Sequence, residues 1–351
     1  MQSPTRVKEK RVGGPQSRSS EHGISEKGRR NPGYLRVGFW LEIQRRIDYS
    51  LVSTIFCEAA GLGPYAGAPP LCVQNHQIIG MAIILGDTNI FARLQSPSFD
   101  QPPVVETALG VQFAPLEGFD VLHLGQLFSL FKEIGYSKYQ LKPPVGQQEI
   151  RLAEEGDFAK FPLRCWYITP DESQLVQIQR EFFIRNWRAT DANAEYQHFT
   201  SIMPLFQRDW VLFCSFLREQ GMKAPEVSRC DVTYINHLLR GEDWETYDDL
   251  SALFPIWRGI ELKELFTAIE VGQFLVGFKL PEGAGHIQFT LQPAVRNDGK
   301  ELFQLTVTAS GKPLTSNDSD LFKWLDLGHL AVVNGFVQFT SEKAHRKWGK
   351  R

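Results

Sequence analysis

The fifteen residues Gln174–Arg188, Q-L-V-Q-I-Q-R-E-F-F-I-R-N-W-R, limit what this chain can fold into more than any other stretch. They are too β-branched and aromatic for a surface helix and read as one long strand. Period two then places Val176, Ile178, Arg180, Phe182, Ile184 and Asn186 on one face. Leu175, Gln177, Gln179, Glu181, Phe183, Arg185 and Trp187 fall on the other. The first face is apolar except for Arg180 and Asn186. Both are therefore expected in or at the edge of a core, where a buried arginine needs partners.

A core is within reach. The 351 residues are 42% hydrophobic and include 25 phenylalanines, and their number leaves room for about two domains. The net charge of -2 conceals an asymmetry, because residues 1–80 carry 11 Lys and Arg against 6 Asp and Glu. Residues 81–351 carry 27 against 34, a net of -7. A nucleic-acid surface needs clustered Lys and Arg to replace counterions, so this acidic body argues against one. The five cysteines, Cys57, Cys72, Cys165, Cys214 and Cys230, form no C-x-x-C pair. They point to a reduced, cytoplasmic chain without a disulfide framework. No apolar run reaches the roughly 18 residues that span a bilayer, so no membrane partner is expected.

Residues 1–46 are rich in Arg, Ser, Gly and Gln without periodicity, and read as disordered. Patterned sequence begins only after Met81. Residues 1–80 are accordingly expected to be a disordered extension or a stretch upstream of a natural start at Met81. Gly61-x-Gly63-x-x-Ala66 imitates half a dinucleotide fingerprint, but Pro64 interrupts it and no βαβ unit surrounds it.

Beyond Pro102-Pro103, Val104–Phe113 alternates as a first strand. Asp120 caps a helix with Leu124, Leu127, Phe128, Phe131 and Ile134 as its stripe, ended by Gly135. Leu163–Thr169 is a second strand, turned by Pro170-Asp171-Glu172-Ser173 into the central one. A helix over Thr200–Gln220 and a strand over Cys230–Leu239 complete a β-α-β-β-α-β unit at residues 99–240. An acidic linker with Glu242, Asp243, Glu245, Asp248 and Asp249 follows, and reads as a solvated connector. Strands at Phe266–Leu280, Gly285–Arg296 and Glu301–Ala309 come next, with Asn297-Asp298-Gly299 as a hairpin turn. A helix through Leu321, Trp324, Leu325, Val332 and Phe339 ends a β-β-β-α unit at residues 255–350. The expected fold is α+β, with two antiparallel-sheet sub-domains each packed by helices.

Chemistry-bearing patterns are scarce. The eight histidines show no H-x-x-x-H, so no metal and no cofactor are expected. There is no nucleophile elbow and no phosphate-binding loop. The remaining candidates are Arg180, Asn186, Trp187 and Arg188, a polar cluster beside an aromatic. Such a cluster could grip an anionic or amide-bearing ligand through the planar arginine fork. The competing structural reading pairs Arg180 with a core-edge carboxylate such as Glu106, and is preferred because nothing nearby supplies a reaction. His345 and Trp348 form a second candidate, for an interaction surface. Trp348 is read as docking the helix end in preference to binding a partner.

Several ordered motifs carry a resemblance. They are Pro102-Pro103-Val104-Val105-Glu106, Val176-Gln177-Ile178-Gln179-Arg180, Asn186-Trp187-Arg188, Thr233-Tyr234-Ile235-Asn236, Phe339-Thr340 and His345-x-x-Trp348-Gly349. Over residues 99–350 the chain resembles a sporadically distributed bacterial family of uncharacterised proteins. That resemblance implies a stand-alone bacterial protein and no particular activity; a scattered distribution is the habit of mobile, defence or toxin–antitoxin genes. The expected function is a non-catalytic interaction protein whose partner is a protein from an adjacent gene. The alternative is an unrecognised enzyme or small-ligand sensor with a pocket between the two halves, lined by Arg180, Asn186 and Arg188.

Overall fold

Alternation of apolar residues with Thr, Gln and Ser dominates residues 104–113, 227–239, 286–295 and 301–311, a pattern that suits strands with one face on a core. A computed structural model describes residues 90–142, 164–191, 194–257, 268–296 and 298–351. The expected extension at 1–80, the loop holding Pro143-Pro144 and Asn297 of the hairpin turn lie outside the described residues. The elements are α1 (Ile90–Arg93), β1 (Val104–Phe113), α2 (Val121–Glu133), β2 (Lys138–Lys142), β3 (Arg164–Ile168), β4 (Gln174–Gln179) and β5 (Phe182–Arg188). They continue with α3 (Phe199–Glu219), β6 (Val227–Leu239), α4 (Leu250–Leu253), β7 (Phe274–Lys279), β8 (His286–Val295), β9 (Glu301–Gly311), α5 (Asp318–Phe339) and α6 (Glu342–Lys347).

The chain is α+β. Its strands form one antiparallel sheet in the order β2-β3-β4-β5-β1-β6-β9-β8-β7. The two expected sub-domains meet inside this sheet. β6 pairs with β9 from Cys230↔Gly311 to Leu239↔Leu302, so the sheet runs unbroken from one half into the other. The first half also holds more strands than the β-α-β-β-α-β order allows, since β2 precedes β3 and the central stretch is two strands.

That central stretch is the main correction. Gln174–Arg188 folds back on itself as the hairpin β4–β5, with Arg180 and Glu181 at the turn. Neither turn residue takes a positive φ, so the turn needs none of the Gly or Asn signals that mark the commonest two-residue hairpins. It is held instead by its surroundings. Phe113 N–H donates to the Glu181 carbonyl at 3.0 Å, and Leu116 N–H to the Arg180 carbonyl at 2.9 Å. The fold-back changes which residues share a face. Ile178 lies opposite Phe183 and Val176 opposite Arg185, so Val176, Ile178, Phe183, Arg185 and Trp187 face one way. Gln177, Phe182, Ile184, Asn186 and Arg188 face the other.

The first of these faces carries the helices. Asp120 caps α2 through its carboxylate, which accepts from Leu122 N–H at 2.9 Å. Leu124, Leu127 and Phe131 of that helix are buried. Phe206, Trp210 and Phe213 of α3 surround Phe183 with ring centroids 5.4 to 5.7 Å apart, within the range of favourable aromatic pairs. The helix α5 lies so close to the sheet that glycine is needed at two points one heptad apart. A Cβ on Gly328 would stand 2.8 Å from Val232 Cγ2, and one on Gly335 would stand 2.7 Å from Ile287 Cδ1.

The buried arginine required by the central stretch is Arg185, not Arg180. Its side chain is 1% exposed and its Nε donates to Asp209 Oδ2 of α3 at 3.0 Å, with Nη2 donating to Gln174 Oε1 at 2.7 Å. The Asp209 carboxylate also accepts from Arg208 Nε at 2.8 Å and from the Tyr136 hydroxyl. Arg180 stays partly buried at the turn and donates to the Leu116 carbonyl.

Candidate functional site

On the face away from the helices, neighbouring strands each offer one polar side chain to a diagonal row. Arg164 of β3 donates from Nη1 to Gln177 Oε1 of β4 at 3.3 Å. Gln177 Nε2 donates to Asn186 Oδ1 of β5 at 2.8 Å. Asn186 Nδ2 donates to Glu106 Oε1 of β1 at 2.6 Å. Side chains two positions off a directly opposed pair are within reach of each other on one sheet face. The two amides thus pass hydrogen bonds from a cation to a carboxylate.

Burial pushes the Glu106 carboxyl up to about 7, while the charge of Arg188 and the bond from Asn186 pull it back. Arg188 lies opposite Glu106 in the register, and its Nε donates to the Glu172 carbonyl at 3.0 Å. The Trp166 ring lies on the same face, with Lys142, Arg164 and Arg188 at 4.6, 5.5 and 5.8 Å from its centroid. The structure therefore brings together Glu106, Asn186 and Arg188 of the predicted cluster. It leaves out Arg180, at the hairpin turn, and Trp187, which faces the helices and meets Tyr196 edge-on at 5.3 Å. Both amides of the row accept and donate within it. A one-residue slip of any strand would send its member to the other face, so the row fixes register.

His345 and Trp348 are also placed inside the chain. Both are 3% exposed. His345 Nε2 bonds Thr340 Oγ1 at 2.8 Å, and Trp348 packs on Phe336 with centroids 5.3 Å apart. Neither ring is presented to a partner, because α6 folds back under α5.

The helix face holds an arrangement that the candidate residues above do not include. The register of β1 against β6 shifts between Val104 and Glu106. This bulge lets Val104 face the helices while Glu106 faces the polar row. Val104 and its partner Asn236 line a cavity of ≈ 190 Å³ together with Tyr234, Val307, Tyr196, Phe199, His329, Val332 and Phe336. Exposed Ser96, Ser98, His198 and Thr200 form its rim.

His329 projects from α5 at the spacing that also delivers Val332 and Phe336. Its ring stacks on Phe199 at 4.0 Å and 3°. Burial pushes the imidazole down to about 4, so it is neutral. Its Nδ1 bonds the Tyr234 hydroxyl at 2.9 Å, and its Nε2 reaches Ser96 Oγ at 3.4 Å. The Tyr196 hydroxyl donates to that of Tyr234 at 3.0 Å. Asn236 is 1% exposed. Its Nδ2 donates to the Leu305 carbonyl at 3.1 Å, while its Oδ1 has no hydrogen-bond partner. A buried acceptor left unpaired costs free energy.

One signal for this site was present in the sequence. Tyr234-x-Asn236 puts two polar groups on the core face of a strand. Tyr196 and His329 lie far away in the chain and carry no local pattern. Among the described residues no group of three or more His, Cys, Asp or Glu could hold a metal ion. No helix of the described residues is long and apolar enough to cross a membrane. No known protein-family model matches the chain, and a search of curated proteins found no match either.

Proposed function

We propose that the chain is a binding protein for a small molecule, held in the cavity among β1, β6, β9, α3 and α5. The observation that carries this reading is a cavity of ≈ 190 Å³ lined by ring and branched aliphatic side chains, with no Asp, Glu, Lys or Arg, beside the hydrogen-bonded Tyr196, Tyr234 and His329. The cavity draws its lining from both halves of the chain, Val104 to Asn236 on one side and Val307 to Phe336 on the other. It is thus a pocket between halves, although Arg180, Asn186 and Arg188 are not its lining. The bacterial family that the motifs resemble belongs to the same proposal. Its support is that Glu106, Gln177, Asn186 and Arg188 meet in the polar row and its neighbourhood, while Pro102, Tyr234 and Asn236 line the cavity.

The test is a fragment screen by ligand-observed NMR on the full chain, repeated with Val333→Phe. Val333 lines the cavity and is partly buried, so the larger ring fills the space. Binders lost in the variant support the reading; binders that persist unchanged place the ligand elsewhere.

A second reading keeps a protein partner encoded by an adjacent gene. It is favoured by β7, which ends the sheet among the described residues with Leu275 and Phe278 48% and 47% exposed. A terminal strand is a template for strand addition. Co-purification with that gene product, lost on Leu275→Lys, is the expected outcome. Co-purification indifferent to the substitution would remove β7 from consideration.

A further inference from the structure

We infer that this cavity is also a hydrolytic site: Ser96 at its rim attacks a small, uncharged carboxylic ester seated in it, and His329 takes the Ser96 proton. The inference rests on the reading of the cavity as a binding site and adds a reaction and a substrate class.

A serine becomes a nucleophile when a base lies within reach and a third group orients that base, and the nucleophile–base distance is often longer before substrate binds. All three parts are present. Ser96 is exposed, and its Oγ stands 3.4 Å from His329 Nε2. The chain beside it is tied to α5, because Asn334 Nδ2 donates to the Gln95 carbonyl at 3.0 Å. His329 is held at its other nitrogen by the Tyr234 hydroxyl at 2.9 Å and on its ring face by Phe199. Thr107 Oγ1 is buried beside Tyr196 and Tyr234 and has no other partner, so it takes the Tyr234 proton. This assigns the ring proton of the neutral imidazole to Nδ1, which donates to the Tyr234 oxygen, and leaves the lone pair of Nε2 toward Ser96. Donors for the charge that develops on the ester oxygen lie at the same cavity. His198, Phe199 and Thr200 open α3 there and no side chain caps that helix, whose first N–H groups have no partner within it.

Charge and shape set the substrate class. No Asp, Glu, Lys or Arg lines the cavity. A charged ester would leave water for a site with no counter-charge, which is strongly unfavourable. Phe199, Phe336, Val307 and Val332 supply apolar walls. An apolar cavity of about 150 Å³ holds benzene, so ≈ 190 Å³ suits an ester with one ring or a short branched chain. In the first step Ser96 Oγ bonds to the carbonyl carbon as its proton passes to His329 Nε2. The tetrahedral adduct then breaks its bond to the alkoxy oxygen, which leaves as the alcohol with that proton. Water repeats the sequence on the acyl-serine: one of its protons goes to Nε2, its oxygen bonds to the acyl carbon, and Ser96 Oγ leaves and regains the proton.

The test uses phenylmethanesulfonyl fluoride and phenyl acetate on the full chain at neutral pH. The first is an uncharged single-ring reagent that sulfonylates activated serines with release of fluoride; the second is an ester of matching size. Peptide mapping by mass spectrometry is expected to find one adduct, on Ser96. Hydrolysis of phenyl acetate is expected to fall roughly a hundredfold in Ser96→Ala. Ser96 is exposed, so that variant keeps the fold. His329→Gln is expected to slow both reactions. Should it fail to fold, Val333→Phe, which fills the cavity, is expected to stop both in its place. No adduct, an adduct elsewhere, or hydrolysis unchanged in Ser96→Ala overturns the hydrolytic site. With any of these results, fragments that bind the wild type and are lost in Val333→Phe leave the cavity a binding site, whereas no fragment binding at all overturns both.

Discussion

Arg180 and Arg185 lie five residues apart and differ in what their loss should do. Arg185 is buried against Asp209 and Gln174. Truncating it takes the buried cation from Asp209 Oδ2 and leaves a cavity in the core, although Arg208 and Tyr136 still bond the carboxylate, so Arg185→Ala should lower stability by about 3 kcal/mol in denaturant melts. Arg180 makes hydrogen bonds to one carbonyl beside solvent, and Arg180→Ala should cost about 1 kcal/mol or less. Equal losses would contradict the facing of the hairpin. Glu106 gives a second prediction at this scale. In the unfolded chain its carboxyl titrates near the ordinary 4.5, and in the folded protein near 7. Between these values the unfolded state binds fewer protons, so this group's contribution makes stability fall as pH rises, then level off above 7. The total is on the order of 3 kcal/mol. Glu106→Gln keeps an oxygen for Asn186 Nδ2 and removes the titration. The difference in stability between variant and wild type should therefore grow in the variant's favour from pH 4.5 to pH 8, measured by urea melts at each pH.

Helices and strands obey the local signals where those signals are strong. Asp120 at its cap, the 3.6-residue stripe of α3 and the period-two run of β1 all place elements at their expected residues. The signal fails at Arg180-Glu181, because contacts from Phe113 and Leu116, far from the turn in sequence, impose a reversal that no Gly, Asn or Pro announces. It fails again for β2, where Tyr139 and Leu141 alternate with Lys138, Gln140 and Lys142 over only five residues, too short a run to stand out. Part of the candidate site was legible for the same reason that strands are. Glu106, Asn186 and Arg188 are polar residues within β-patterned runs. The relay through Tyr196, Tyr234 and His329 was not, because it joins a loop, a strand and a helix across the whole described body. Glycines give an element-scale test. Gly125 lies exposed in α2 with open space around its would-be Cβ, so Gly125→Ala should stabilise by roughly 0.5–1 kcal/mol. Gly328→Ala pushes a methyl into Val232 and Trp324, and should destabilise by about 1–3 kcal/mol despite the better helix propensity. Thermal melts of the two variants should move in opposite directions.

At the scale of the whole molecule the β6–β9 seam decides whether the chain behaves as one body or two. β6 is paired on both sides, with β1 and with β9. Opening the seam would expose two strand edges and the apolar wall where α5 covers Val232 and Ile287. It would also divide the cavity, since Asn236 hydrogen-bonds directly to the Leu305 carbonyl across it. Neither half can keep its own core face covered once the other has left. Residues 90–351 are therefore expected to unfold in a single calorimetric transition whose van't Hoff enthalpy approaches the measured one. A ligand in the cavity binds only the joined state, so a saturating fragment whose binding Val333→Phe abolishes should raise that one transition without splitting it. Two resolved transitions, with that fragment moving just one of them, would restore the division into independent sub-domains at residues 99–240 and 255–350.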